Sequence, residues 1–297
     1  MTIKKSGIIT LCGRPNVGKS TLTNALVGEK VAIVTTKPQT TRSRICAILN
    51  RGESQFVFVD TPGLHRARTR LGDYMVNVVK ESVADVDAVL LLVEPIPHIG
   101  GPEAELIRRI KELNVPAVLV INKIDTVEKE ELLSVMQVYG AAHDFAAIVP
   151  ISAKRNEGVD ELLGLLAQFL PEGPQLFPED MVTDQPERQV CAEIIREKLL
   201  LCLDKEIPHG TAVEITTFSE RDDGIIDLDA TIYCEKASHK GIIIGKGGAM
   251  LKKISTLART DIEAFMGTKV FLQTWVKVKE NWRDNMNLIK NFGYRDE

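Results

Sequence analysis

Gly13, Gly18, Lys19 and Ser20 stand in the run GRPNVGKS, residues 13–20. The spacing G-x-x-x-x-G-K-S suits a phosphate chain: the glycines let backbone N–H groups come close, and a helix N-terminus favours the anion. Lys19 is a compact cation for the β and γ phosphates, and the Ser20 hydroxyl is a hard ligand for Mg²⁺. Arg14, Pro15, Asn16 and Val17 complete the loop, and Thr21 begins the following helical pattern. Downstream, Asp60, Thr61, Pro62 and Gly63 end an apolar run, where an acid holds Mg²⁺ and the Gly63 N–H can meet the γ phosphate. Asn122, Lys123 and Asp125 (in NKID) end another such run. A carboxylate at Asp125 can accept two hydrogen bonds from the N1–H and N2–H₂ of guanine, a donor pair that adenine lacks. Asn122 would tie the loops together, and Lys123 would lie along the base. Ser152, Ala153 and Lys154 follow a last apolar run, and their backbone can reach the guanine O6. Together these motifs describe a guanine-nucleotide site.

The elements that must position them follow from the patterning. Through residue 170, nearly continuous apolar runs (GIITLC, FVFVD, AVLLLVE, PAVLVIN, AAIVPIS) alternate with helical stretches such as PEAELIRRIKEL and GVDELLGLLAQFL. Continuous apolar strands are buried on both faces, so the expected fold class is an α/β P-loop domain with a mostly parallel sheet. Its ligand crevice lies at the strands' carboxyl ends. ICAILNRGESQFVFVD leaves no room for a crossover helix and predicts an antiparallel hairpin at the sheet edge. The expected domains are 1–170, a proline-rich linker at 171–188 that is extended and stiff, and a smaller α+β domain at 189–297 with order α-β-β-α-α-β-α and a closing helix.

A second glycine loop, GKGG at 245–248, lies between two short apolar helical runs, GIIIG and AMLKKI. It is too short between glycines for a triphosphate loop. G-x-x-G between helices is the pattern of a KH domain, whose loop clamps the backbone of about four nucleotides. Lys246 is placed for phosphate, and Gly245, Gly247 and Gly248 allow close approach. Ile242 to Ile244, Leu251 and Ile254 are expected to wall the groove, and Lys252 and Lys253 add charge. In VFLQTWVKVK, Phe271, Gln273, Trp275, Lys277 and Lys279 share one face by period two, a surface suited to stacking and phosphate attraction. Charge agrees: residues 171–235 carry a net −11 and residues 236–297 a net +6. The five cysteines are scattered without a CxxC pair, which fits thiols used as small core residues in a reducing cytosol. No apolar run reaches membrane-spanning length.

GRPNVGKST, QTTR, DTPG, the segment FPEDMVTDQPER and the late WVKVKENW resemble the Era family of GTPases along nearly the whole chain. The resemblance implies a Ras-like GTPase domain followed by a type II KH domain. It implies a GTP-hydrolysing switch that binds the 3′ end of small-subunit (16S) rRNA and assists maturation of the 30S subunit. It implies a cytoplasmic chain, a monomer in expectation, with some relatives peripheral on the inner face of the membrane. A switch threonine joins the Mg²⁺ shell in such enzymes; Thr40 and Thr41 are the candidates, with Thr41 preferred because it precedes Arg42. Leu64 stands where Ras-like enzymes carry a water-positioning glutamine. Asn16, in a loop shared with K⁺-stimulated GTPases, is the candidate to complete the site through K⁺. The alternative reading is a GTPase adaptor whose C-terminal domain binds protein or membrane instead of RNA.

Overall fold

The computed structural model describes residues 3–63, 69–82 and 86–294, in two compact units. The first comprises residues 3–32, residues 41–63 and Met75–Asp184. Chain order to Asp184 is β1 (Lys5–Gly13), α1 (Lys19–Val27), β2 (Ile45–Arg51), β3 (Ser54–Asp60), α2 (Arg70–Glu81), β4 (Ala88–Val93), α3 (Gly101–Leu113), β5 (Ala117–Ile121), α4 (Lys129–Ala142), β6 (Ala147–Pro150) and α5 (Val159–Leu166). The strands form one sheet in the order β2-β3-β1-β4-β5-β6. All neighbours are parallel except β2 and β3, the edge hairpin that the short connection demands.

The continuous apolar strands explain the two-sided burial. Leu90, Leu92, Val118 and Val120 pack on one face with Leu22 and Leu26 of α1 and Leu162 and Leu166 of α5. Their sequence neighbours Val89, Leu91, Leu119 and Ile121 pack on the other with Leu106 and Ile110 of α3 and Tyr139 of α4. Period-two alternation thus feeds two cores from one strand. Cys12 and Cys46 are buried and unbridged, and burial pushes both thiols up to about 12. They are core side chains.

Residues 171–184 form no helix, turn once at Pro178–Met181, and are laid along the sheet edge. Gln55 is the anchor: its Oε1 accepts from the N–H groups of Leu176 (2.7 Å) and Phe177 (2.9 Å), and its Nε2 donates to Phe177 O. Ile48 N donates to Val182 O, and Asp184 Oδ1 accepts from Cys46 N. A proline-rich segment with few donors of its own can still be fixed when a neighbour supplies the partners. The buried Gln55 amide does so here.

The second unit holds Ile33–Thr40, residues 69–74 and residues 185–294. Its elements are α6 (Glu187–Cys202), β7 (Ala212–Glu220), β8 (Ile226–Cys234), α7 (Ala237–Ile244), α8 (Ala249–Met266), β9 (Val270–Val278) and α9 (Met286–Asn291). α6 therefore begins inside the segment expected to be linker. The sheet order is β7-β8-β9, with β7 antiparallel and β9 parallel to β8. α6 and α8 cover one face around Ile195, Leu199, Ile232, Ile254 and Ile262. Trp282 is fully buried, donates from Nε1 to Gly210 O (3.0 Å) and packs against Phe292 and Tyr294.

Candidate functional site

The first unit gathers its chemistry at the carboxyl ends of β1, β3 and β5 and in the loop after β6. Gly18 opens α1 at φ 100°, and a Cβ there would overlap the Asn122 amide. Glycine is required at that point by both sterics and backbone conformation. Asn122 Nδ2 donates to Val17 O (2.8 Å), and its Oδ1 accepts from Ala153 N (3.0 Å). One buried side chain thus fixes the phosphate loop and the Ser152–Lys154 loop to each other. Because the Ala153 N–H is engaged, a guanine O6 would share that donor or take the next one along.

Ser20 Oγ donates to Asp60 Oδ2 (2.7 Å) and lies 2.9 Å from Thr41 Oγ1; Thr41 Oγ1 is 3.5 Å from the same carboxylate oxygen. Thr40 is engaged elsewhere: its hydroxyl donates to Lys37 O and contacts Thr35 Oγ1, both at 2.7 Å. Of the two threonines, Thr41 is the one the structure brings to Ser20 and Asp60. Asp60 is fully buried, and its Oδ1 has no hydrogen-bond partner. Burial pushes its carboxyl up, against the pull of Lys19 and the hydroxyls. Burial also pushes Lys19 down, against Asp60; its Nζ donates to the carbonyls of Gly13 (3.2 Å) and Arg14 (3.0 Å). A buried carboxylate beside two hydroxyls, with one open lone-pair site, is a donor set for a hard oxygen-seeking cation. Gly63 sits against the loop so closely that a Cβ would come within 2.6 Å of Pro15 N.

Asp125 Oδ1 accepts from Ser152 Oγ (2.7 Å), which holds the carboxyl below its ordinary range; Arg155 Nε is 3.7 Å from Oδ2. It therefore stays an acceptor throughout the neutral range. Lys123, at φ 64°, donates from Nζ to Glu94 Oε1 (2.6 Å). Asn16 takes φ 65°, and Leu64 lies outside the described residues.

The GKGG loop joins α7 to α8. Gly245, Gly247 and Gly248 all have positive φ, and a Cβ on Gly245 would meet Met250 Cβ at 2.7 Å. Lys246, Lys252 and Lys253 are exposed, as is Ile242; Ile244 is half-buried. Ile243 and Ile254, read as groove wall with their neighbours, are instead fully buried in the core. β9 presents Phe271, Gln273, Trp275 and Lys277 to solvent. The alternate residues face the helices, as Thr274 does through Ser255 of α8 (2.8 Å). Trp275 and Lys277 thus stand on the sheet face turned away from α8, and the structure does not bring them onto the surface of the glycine loop. Lys279 lies just beyond β9 and is exposed.

Four participants were not apparent from the sequence. Glu94 and Glu103 hold Lys123 and Arg14. In the second unit, Arg196 of α6 donates to Thr40 O, while Glu197 Oε1 accepts from Val34 N (3.0 Å). Lone acids and a lone arginine carry no motif.

Comparison with known proteins agrees with this geometry. A family model described as "50S ribosome-binding GTPase" matches residues 8–123, and a "KH domain" model matches residues 206–283. GTPase Era of Ruminiclostridium cellulolyticum is 51% identical over 291 residues, covering 98% of each chain. Two solved structures align at TM-score 0.94 over 98% of this chain and 99% of theirs. One is Era in complex with MgGDPNP and nucleotides 1506–1542 of 16S ribosomal RNA, at 37% identity; the other is a variant of Aquifex aeolicus Era bound to GDP·AlF₄⁻, at 38%. A phosphate loop tied by Asn122 to the Ser152–Lys154 loop, followed by a KH domain and matched over its length, makes this chain a GTPase that belongs to the Era family.

Proposed function

We propose that the chain is a GTP-hydrolysing switch that binds the 3′ end of small-subunit rRNA and assists maturation of the 30S subunit. The observation that carries this reading is the relative solved with MgGDPNP and the 16S rRNA 3′ segment, whose fold this chain shares over 98% of its length. Ser20, Thr41 and Asp60 would hold Mg²⁺, which would supply positive charge to offset that of the phosphates. The chain's own residues then divide the work. Lys19 leaves the carbonyls of its loop for the phosphates. Asp125 orients the base, and the Gly63 N–H meets the γ phosphate. Thr41 reports the γ phosphate to Thr40, its neighbour in sequence, whose carbonyl Arg196 holds. That link supports a switch in which the nucleotide state alters how the GKGG loop is presented. Hydrolysis releases it.

The water-positioning role falls to no glutamine, and we assign Asn16 to hold K⁺ at the phosphates. Hydrolysis is accordingly slow and faster in K⁺ than in Na⁺, measured as phosphate release at equal ionic strength; equal rates would contradict this. Among the described residues no helix is long and apolar enough to cross a membrane. The reading places the chain in the cytoplasm as a monomer, with peripheral membrane contact. Crosslinking to RNA in cells, followed by sequencing, is expected to recover the terminal segment of small-subunit rRNA. Recovery of protein partners without that segment would favour the adaptor reading.

A further inference from the structure

Glu94 follows β4, and Glu103 lies in the first turn of α3. Neither belongs to a nucleotide motif, yet both reach into one. Lys123 Nζ donates to Glu94 Oε1 at 2.6 Å, and Glu94 Oε2 faces Arg14 Nη2 at 3.7 Å. Arg14 Nε pairs in turn with Glu103 Oε1. The result is a chain of alternating charge, Lys123–Glu94–Arg14–Glu103. It runs from the base-reading loop across the second residue of the phosphate loop to α3.

The far end of the chain is anchored. Glu103 is fully buried, and a Cβ on Gly100 would come within 2.8 Å of its Oε2. A buried carboxylate is strongly disfavoured without a cation, so Glu103 fixes Arg14. Burial, and then the nearby Glu103 charge, push the Tyr139 hydroxyl up to about 12. The near end is more open: the Lys123 and Glu94 side chains are 35% and 29% exposed. Ion pairs of that exposure add little to folding. What Glu94 does hold is geometry, since one carboxylate sits between the two loops that grip opposite ends of a nucleotide.

We propose that Glu94 is a positioning residue for the guanine nucleotide: it fixes Lys123 against Arg14 and so sets the separation of the base and phosphate loops. The inference rests on the guanine-nucleotide reading of the site. Binding of fluorescent mant-GDP by the wild-type chain tests that reading; the variants test this one. In the full chain, Glu94→Gln is expected to speed mant-GDP release about tenfold and to raise KM for GTP alike, with kcat unchanged. Lys123→Met speeds release too, and the double variant is no faster than Lys123→Met alone, because both remove one interaction. Glu94→Asp recovers part of the loss. Unchanged release in Glu94→Gln would overturn the proposal, as would effects that multiply in the double variant. A lowered melting midpoint that tracks faster release, with no recovery in Glu94→Asp, would also overturn it by making the role structural.

Discussion

Replacing Asp125 with Asn lowers affinity for GTP by about 10⁴-fold and abolishes the preference for guanine over other bases. The size of the effect follows from what is left unpaired. The Asp125 carboxylate is held ionised by the Ser152 hydroxyl at 2.7 Å and approached by Arg155. Its remaining lone pairs would match the N1–H and N2–H₂ donors of guanine. An asparagine offers one acceptor and one N–H₂ group, so a donor of the protein meets a donor of the base. A site built on hydrogen bonds rejects the wrong partner more strongly than a shape-matched apolar pocket can, because buried polar groups lose their partners on both sides. Xanthine has an oxygen at C2 in place of the amine, and the asparagine N–H₂ suits it. The variant is therefore expected to gain xanthosine triphosphate affinity as it loses GTP. Competition binding with GTP, ATP and xanthosine triphosphate measures all three. A variant that keeps its GTP selectivity would show that Asp125 does not read the base.

How much of this was legible in the sequence depends on how local each interaction is. The nucleotide loops were legible because each puts its reactive residues within a few positions of a strand end, and the sheet brings strand ends together. The edge hairpin was legible because Gly52 and Glu53 leave no room for a crossover between β2 and β3. The linker was expected at 171–188 from its prolines, but the attachment of its first part depends on Gln55, more than a hundred residues away. The KH order of helices and strands was also readable from periodicity. Which side of β9 carries the helices was not, since period two says which residues share a face and nothing about what covers it. Trp275 and Lys277 were read as sharing one face, and both are exposed, but their side relative to the helices came only with the fold. Ile243 and Ile254 show the same limit on a helix, where consecutive apolar residues divide between core and surface. Glu94, Glu103 and Arg196 were missed because a lone charged residue signals nothing until its partner is placed beside it.

In the proposed function, GTP and RNA share one switch. Thr41 lies beside Ser20 and Asp60, and the carbonyl of its neighbour Thr40 accepts from Arg196. Linkage then requires each ligand to raise the other's affinity by the same factor, for coupling of this kind about 5- to 150-fold. Lys246→Asp serves as the internal control. Reversing one exposed phosphate contact costs about tenfold or more in RNA affinity and leaves GTP binding intact. RNA binding through several lysines also falls steeply with salt. The decisive measurement is the dissociation constant for an oligonucleotide of the small-subunit rRNA 3′ end, taken at fixed salt with GDP and with the non-hydrolysable analogue GDPNP. Binding is expected to be tighter with GDPNP, by the factor through which the RNA tightens GDPNP relative to GDP. Equal dissociation constants in the two nucleotide states would contradict it.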